Sequence, residues 1–143
     1  MATFQFEIPI YSVWDANHLL VCRLVVEDED GICGWVALSP VSSRCVYAGV
    51  CEVSVYVSKV ARAKGVGTLL LDTVIAESEK QGIWTLQSGI MQNNNASIHL
   101  HEKCGFRMVG YRERIGKDHN GIWRNTVLME RRSGNDVQVE SRD

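Results

Sequence analysis

Residues 62–68, Arg-Ala-Lys-Gly-Val-Gly-Thr, place two glycines between a strand pattern and a helix pattern. Apolar and polar residues alternate over residues 50–57, and apolar residues recur at three- and four-residue steps over residues 66–81. Two glycines allow a tight turn whose N–H groups converge, and the following helix adds a partial positive charge at its N-terminus. The stretch therefore predicts either an anion-binding loop or a strand-to-helix turn that needs glycine only for its geometry.

The rest of the chain predicts more strands and one more helix. Residues 19–26 and 32–38 read as a hairpin, residues 83–90 as a buried strand, and residues 106–115 and 122–131 as a second hairpin. A short helix is predicted from Asn94 or Asn95 to Lys103. Residues 1–18 are weakly patterned, and residues 133–143 are predicted to be disordered. This order predicts one α+β domain over residues 1–132, with a mixed, mostly antiparallel sheet.

Composition excludes several classes of function. The 143 residues carry a net charge of -2, which argues against a general nucleic-acid or membrane-surface binder. The 5 cysteines are scattered and include no C-x-x-C pair, which indicates reduced thiols rather than disulfides or a zinc site. His99 and His101 lie on opposite sides of a helix and cannot share a metal, so no metal is expected. With no signal peptide and no membrane-length apolar run, a cytoplasmic protein is predicted.

Two polar residues in structured surroundings are candidates for chemistry. Glu52 interrupts the apolar pattern of a strand and faces either solvent or a polar cleft, where a carboxylate of raised pKa suits a general base. His119 lies in the glycine-containing turn of the second hairpin, as an exposed turn residue or a catalytic one. The pattern alone leaves both pairs of alternatives open.

Taken with residues 94–106, Asn-Asn-Ala-Ser-Ile-His-Leu-His-Glu-Lys-Cys-Gly-Phe, the glycine loop resembles the GNAT superfamily of acetyl-CoA-dependent N-acetyltransferases. Residues 34–38, 52–57, 100–106 and 121–123 narrow the likeness to the phosphinothricin and methionine sulfoximine N-acetyltransferase branch, and the likeness covers about residues 2–132. Members of this branch usually begin with a further strand and helix beside the acceptor pocket. We expect this chain to lack that unit, because it starts at the segment that follows it.

The resemblance implies a three-layer fold in which the strand at residues 53–57 diverges from its parallel neighbour, leaving a gap for the pantetheine arm of acetyl-CoA. The glycine loop then binds the pyrophosphate. The implied cofactor-binding residues are Val55, Tyr56, Val57, Arg62, Ala63, Lys64, Gly65, Val66, Gly67, Thr68, Asn94 and Ser97. Glu52 matches the general base of the branch, His101 replaces a tyrosine that many members use as general acid, and His119 corresponds to a hairpin histidine of some members.

The resemblance further implies acetyl transfer to a small amino acid analogue, such as phosphinothricin or methionine sulfoximine or sulfone, by direct attack in a ternary complex. It also implies a homodimer. Arg44, Arg112 and Arg114 are candidates for binding the acceptor carboxylate, and no motif selects among them. Two alternatives remain: a catalytically impaired acyl-CoA-binding protein, and a GNAT enzyme that acetylates a peptide or protein amine.

Overall fold

A six-stranded sheet forms the centre of the computed structural model, which describes residues 18–44, 47–62 and 64–134. The strands are β1 (Leu24–Asp28), β2 (Gly31–Pro40), β3 (Val50–Val57), β4 (Thr85–Met91), β5 (Arg107–Lys117) and β6 (Trp123–Arg132). Their order is β1-β2-β3-β4-β6-β5. Among the described strands only β3 and β4 pair in parallel, so the predicted mixed, mostly antiparallel α+β sheet is confirmed.

Two helices cover part of this sheet. Helix α1 (Val66–Lys80) packs on β1, β2 and β3, and it also contacts helix α2 (Asn95–Lys103). The face of α1 that meets the sheet carries Leu70, Leu71 and Val74, all fully buried. Gly82, at a φ of 76°, follows the end of α1 in the left-handed conformation that glycine adopts at low cost. The helical pattern of residues 66–81 is thus confirmed to within one residue.

The first hairpin is shorter than its apolar pattern predicts. The pattern begins at residue 19, whereas β1 begins at Leu24. Cys22 lies just before it with a φ of 59°, a left-handed conformation that interrupts an extended chain. Arg23 Nε donates a hydrogen bond of 2.6 Å to the Leu19 carbonyl, which holds the bend. The predictions for residues 1–17 and 135–143, and for Cys45 and Ala63, lie outside the described residues.

The packing of α1 on the sheet leads to a prediction about the free energy of unfolding. Leu71 is fully buried, and we expect Leu71→Ala to lower the free energy of unfolding by about 2–5 kcal/mol through lost apolar contact and a residual cavity. Leu69→Ala is the matched control, because Leu69 lies on the same helix with 56% of its surface exposed. Chemical denaturation of both variants measures the difference. Equal losses would mean that this face of α1 does not pack as described.

Candidate functional site

Strands β3 and β4 pair over only three residues before they diverge. Val50 pairs with Thr85, and the ladder ends where Glu52 pairs with Gln87. Beyond that point β3 continues to Val57 and β4 continues to Met91 without pairing to each other. Buried backbone N–H and C=O groups need partners, so an opened ladder offers hydrogen bonds to an extended ligand. The predicted divergence of β3 from its parallel neighbour is therefore present.

A cavity of about 1090 Å³ lies over this gap. Its wall includes most of the residues predicted for the site: Glu52, Val55, Tyr56, Val57, Arg62, Gly65, Val66, Gly67, Thr68, Asn94, Ser97 and His101. Lys64 is exposed and does not line the cavity, and Ala63 lies outside the described residues. His119 is exposed in the β5–β6 turn and does not line it either. The tertiary structure thus brings two of the three predicted catalytic residues together and leaves His119 apart.

The N-terminus of α1 opens on this cavity without a side-chain cap. Gly65 precedes the helix with a φ of 81°, and the first turn contains no acidic residue. A Cβ atom added to Gly67 would lie 2.9 Å from Leu100 Cδ2, so this glycine lets the end of α1 approach α2 closely. The first N–H groups of a helix have no partner within the helix and favour an anion. With Arg62 in the same wall, this end of the cavity fits a phosphate group.

Glu52 supplies the only carboxylate among the described residues that line the cavity. It shares one face of β3 with Ser54 and Tyr56 and is accessible to solvent. The surrounding protein nevertheless removes part of its hydration, and this desolvation raises the pKa of Glu52 above its usual value. A carboxylate with a raised pKa at an open cavity is suited to accept a proton from a bound ligand.

His101 is buried in α2, where its hydrogen bonds define its protonation. Its Nδ1 lies 2.7 Å from the Ser97 carbonyl oxygen, which can only accept, so Nδ1 carries the proton. Burial lowers the pKa of His101, which favours the neutral ring. Nε2 is buried and has no hydrogen-bond partner among the described residues. The ring meets Phe106 edge-on at 5.0 Å between centroids. In this state Nε2 can accept a hydrogen bond but cannot donate one.

Asn94 caps α2 from the cavity wall. Its side-chain Oδ1 accepts a hydrogen bond of 3.2 Å from the Ser97 N–H, which satisfies one of the free donors of the first turn.

We expect Asn94→Ala to destabilise α2 locally by about 1 kcal/mol, whereas Asn94→Ser keeps a capping oxygen. Hydrogen exchange of the α2 amides measures this difference. Equal protection in both variants would exclude a capping role.

Sequence reasoning did not assign three cations that the structure places in the cavity wall. Lys59 lies on the short 3₁₀ turn Lys59–Ala61 after β3, Lys103 ends α2, and Arg112 lies on β5. Arg112 was one of three arginines that no motif could rank. Residues on β5 lie some 50 positions away from the glycine loop in the chain, so only the pairing of the strands brings them to the same cavity.

The described cysteines do not take part in this site. Cys22, Cys33, Cys51 and Cys104 are buried free thiols. Desolvation raises the pKa of Cys104 to about 11, which disfavours the reactive thiolate. Among residues 18–44, 47–62 and 64–134, no three His, Cys, Asp or Glu side chains group closely enough to hold a metal ion. No helix in this part of the chain is long and apolar enough to cross a membrane.

The sequence model of the acetyltransferase (GNAT) family matches residues 2–106. The chain is 30% identical to an L-methionine sulfoximine/L-methionine sulfone acetyltransferase of Salmonella typhimurium, covering 82% of this chain and 68% of the relative. The structure of a phosphinothricin acetyltransferase from Sinorhizobium meliloti in complex with acetyl-CoA matches with a TM-score of 0.71 and 32% identity, over 77% of this chain and 60% of that one. A ribosomal-protein-alanine N-acetyltransferase from Brucella melitensis matches with a TM-score of 0.73 and 32% identity, over 78% and 68% of the two chains.

The matches leave part of each relative uncovered. The chain spans 56% of the length of the phosphinothricin N-acetyltransferase of Streptomyces coelicolor and 55% of that of Alcaligenes faecalis. It thus spans little more than half the length of these curated relatives. What those proteins bind and acetylate is therefore a premise for a proposal about this chain.

Proposed function

Because the chain belongs to the acetyltransferase (GNAT) family, we propose that it transfers the acetyl group of acetyl-CoA to the amine of a small amino acid analogue. The observation that carries this proposal is the divergence of β3 from β4 beside the uncapped N-terminus of α1. An extended, amide-containing ligand with a phosphorylated end needs both features. The solved Sinorhizobium meliloti relative contains acetyl-CoA, which supports the same ligand here.

In the proposed complex, the pantetheine arm lies along the part of β3 that does not pair with β4, against the backbone of Val55, Tyr56 and Val57. The pyrophosphate lies at the N-terminus of α1, where free N–H groups and Arg62 provide the positive charge. Asn94 lies in the wall near the start of α2. Part of its amide remains free to bond the arm while Oδ1 caps the helix. One β3 N–H is proposed to bond the thioester carbonyl and stabilise the negative charge that develops there.

The proposed reaction is direct attack of the amine on the thioester carbon while both substrates are bound. Glu52 removes a proton from the ammonium group, directly or through water. The raised pKa of this carboxylate makes it a stronger proton acceptor. The amine nitrogen then forms its bond to the carbonyl carbon, and the C–S bond breaks to release CoA. Holding the two substrates in one cavity provides much of the rate gain.

The general-acid role of His101 requires a proton that the neutral ring lacks at Nε2. The ring would have to become positively charged first, and its burial opposes that charge. A thiol of pKa near 8.5 is a fair leaving group, so loss of CoA does not depend on this acid. We therefore propose that His101 assists protonation of the thiolate only after it has gained a proton itself. We assign no step to His119, whose turn stands apart from the cavity.

The proposed acceptors are phosphinothricin, methionine sulfoximine and methionine sulfone, the compounds in the names of the relatives. The assay is release of free CoA thiol from acetyl-CoA by the purified chain, with these amines and with peptides of free N-terminus as separate substrates. Acetylation of amino acid analogues is the expected result. Activity on peptides alone would favour the alternative function, acetylation of a peptide or protein amine. The similarity to the ribosomal-protein-alanine N-acetyltransferase of Brucella melitensis supports that alternative. Binding of acetyl-CoA without turnover would identify an impaired acyl-CoA-binding protein.

We further propose a cytoplasmic homodimer. The β5–β6 hairpin exposes large apolar side chains, among them Tyr111 and Ile122, each with 50% of its surface accessible, and Trp123 with 54%. Large apolar side chains exposed on one hairpin are a feature of protein interfaces. Free buried thiols fit a reducing compartment. Light scattering coupled to gel filtration measures the mass in solution, and a monomer at all concentrations would exclude the dimer.

A further inference from the structure

The structure distinguishes the three arginines that the sequence left unranked. Arg44 lies in the loop after β2, with its Cζ atom 5.9 Å from the ring centroid of Tyr47. Arg114 does not line the cavity, and its backbone N–H donates to Asn125 Oδ1 at 2.9 Å. Arg112 alone among them lines the cavity. The chain irregularity that follows Arg112 in β5 separates it from Arg114, whose φ is 46°.

The strand register places Arg112 on the same face of the sheet as Glu52. Arg112 pairs with Thr126 of β6, and Thr126 pairs with Met91 of β4. Glu52 pairs with Gln87, which lies an even number of residues before Met91 and therefore points to the same side. The cavity joins these positions, because Glu52, Met91, Thr126 and Arg112 all line it.

Charge in the cavity wall is unbalanced. Lys59, Arg62, Lys103 and Arg112 line it, against the carboxylate of Glu52 alone among the described residues. Arg62 and Lys59 lie next to the N-terminus of α1, where the proposed pyrophosphate supplies their counter-charge. Arg112 lies on β5, separated from β3 by β4 and β6 in the sheet. A phosphate at the helix end does not explain a cation in this position.

Arg112 also lacks a partner within the described part of the chain. Arg107, Arg124, Arg131 and Arg132 each form an ion pair with a carboxylate. Arg112 forms none with the residues that the structure describes, although it lies on the same hairpin as all four of them. A guanidinium group offers a planar fork of donors that matches an oxyanion. An arginine that lines a cavity without a carboxylate partner is available for an anion in that cavity.

We infer that Arg112 binds an anionic group of the acetyl acceptor, so that the preferred acceptors are small amines that also carry a carboxylate or phosphinate. This inference rests on the proposed acetyl transfer and assigns the acceptor end of the same cavity. Thr126 lies opposite Arg112 as a buried polar neighbour, and Met91 provides an apolar wall between them and the β3–β4 gap. The acceptor would then lie along this face, with its amine toward Glu52 and its anionic end toward β5.

Steady-state kinetics of Arg112→Gln and Arg112→Lys test the inference. We expect Arg112→Gln to raise KM for methionine sulfone about 10- to 100-fold, the effect of losing a charged hydrogen-bond pair, and to leave KM for acetyl-CoA unchanged. Arg112→Lys should recover part of the affinity, because it keeps the charge without the fork. The control is Arg114→Gln, which removes a cation of the same strand that does not line the cavity. Turnover of methionine amide, which has no carboxylate, should not respond to Arg112→Gln.

Three outcomes would overturn the inference. An unchanged KM for methionine sulfone in Arg112→Gln would mean that no anion binds there, and a raised KM for acetyl-CoA would assign Arg112 to a phosphate of CoA. An equal loss with the amide would show a structural role. Phosphinothricin and its methyl phosphinate ester distinguish phosphinate binding from carboxylate binding. If the wild type shows no turnover, the proposed function fails instead, and calorimetric titration of methionine sulfone into wild type and Arg112→Gln still tests Arg112.

Discussion

Affinity for acetyl-CoA should fall about 100-fold or more in the Gly67→Asp variant. Gly67 lies in the first turn of α1, where unpaired N–H groups point to the proposed pyrophosphate site. An aspartate there adds a negative charge at the position where the ligand carries its own, and its Cβ would lie 2.9 Å from Leu100 Cδ2. Equilibrium titration with CoA measures the loss directly, without dependence on the acceptor.

Two further variants separate charge from packing in this prediction. Gly67→Ala adds the Cβ atom alone, and the flexible end of Leu100 can move to admit it, so a much smaller loss is expected. Gly110→Asp adds the same charge on β5, where an added Cβ would have open space. It should leave CoA affinity unchanged. If Gly67→Asp binds CoA as the wild type does, the phosphate does not lie at the N-terminus of α1.

The second large effect is expected at Glu52. Glu52→Gln should lower kcat by about 10²- to 10⁴-fold, because the amide cannot remove the ammonium proton. Wild-type kcat/KM should fall as the pH drops through the raised pKa of Glu52, where the base becomes protonated. The variant should lack this decline. Measurement of kcat/KM against pH for both proteins provides the comparison, with Glu29→Gln in the exposed β1–β2 turn as control.

Stability distinguishes loss of the base from loss of the fold. A carboxyl whose pKa is raised on folding destabilises the folded state at pH values above its unfolded pKa. Glu52→Gln removes that cost, so at neutral pH its unfolding midpoint should equal or exceed that of the wild type. A variant that is inactive and folded supports the proton-transfer role. An active variant with an unchanged pH profile would exclude Glu52 as the base.

Local patterns in the chain were sufficient for most of the secondary structure. Alternation over Val50–Val57 and the three- and four-residue steps of α1 predicted both elements to within a residue, because each period reflects which side of one element faces the core. The prediction was wrong at the start of β1, where a strand was expected from residue 19. Cys22 adopts a left-handed conformation there, which an apolar pattern does not encode.

The candidate site likewise contains some residues that local sequence predicts and others that only the tertiary structure brings to the cavity. The loop at Gly65 and Gly67, the capping Asn94 and the carboxylate of Glu52 all belong to short segments whose residue types carry their own geometry, so the sequence alone determined them as candidates. It could not determine which distant residues share their cavity, because side chains on β5 reach it only through the pairing of β5 with β6 and of β6 with β4. It likewise could not determine the protonation of His101, which depends on burial. Tertiary structure alone selected Arg112 from three arginines that look alike in the chain, since strand register decides which of them meets the cavity.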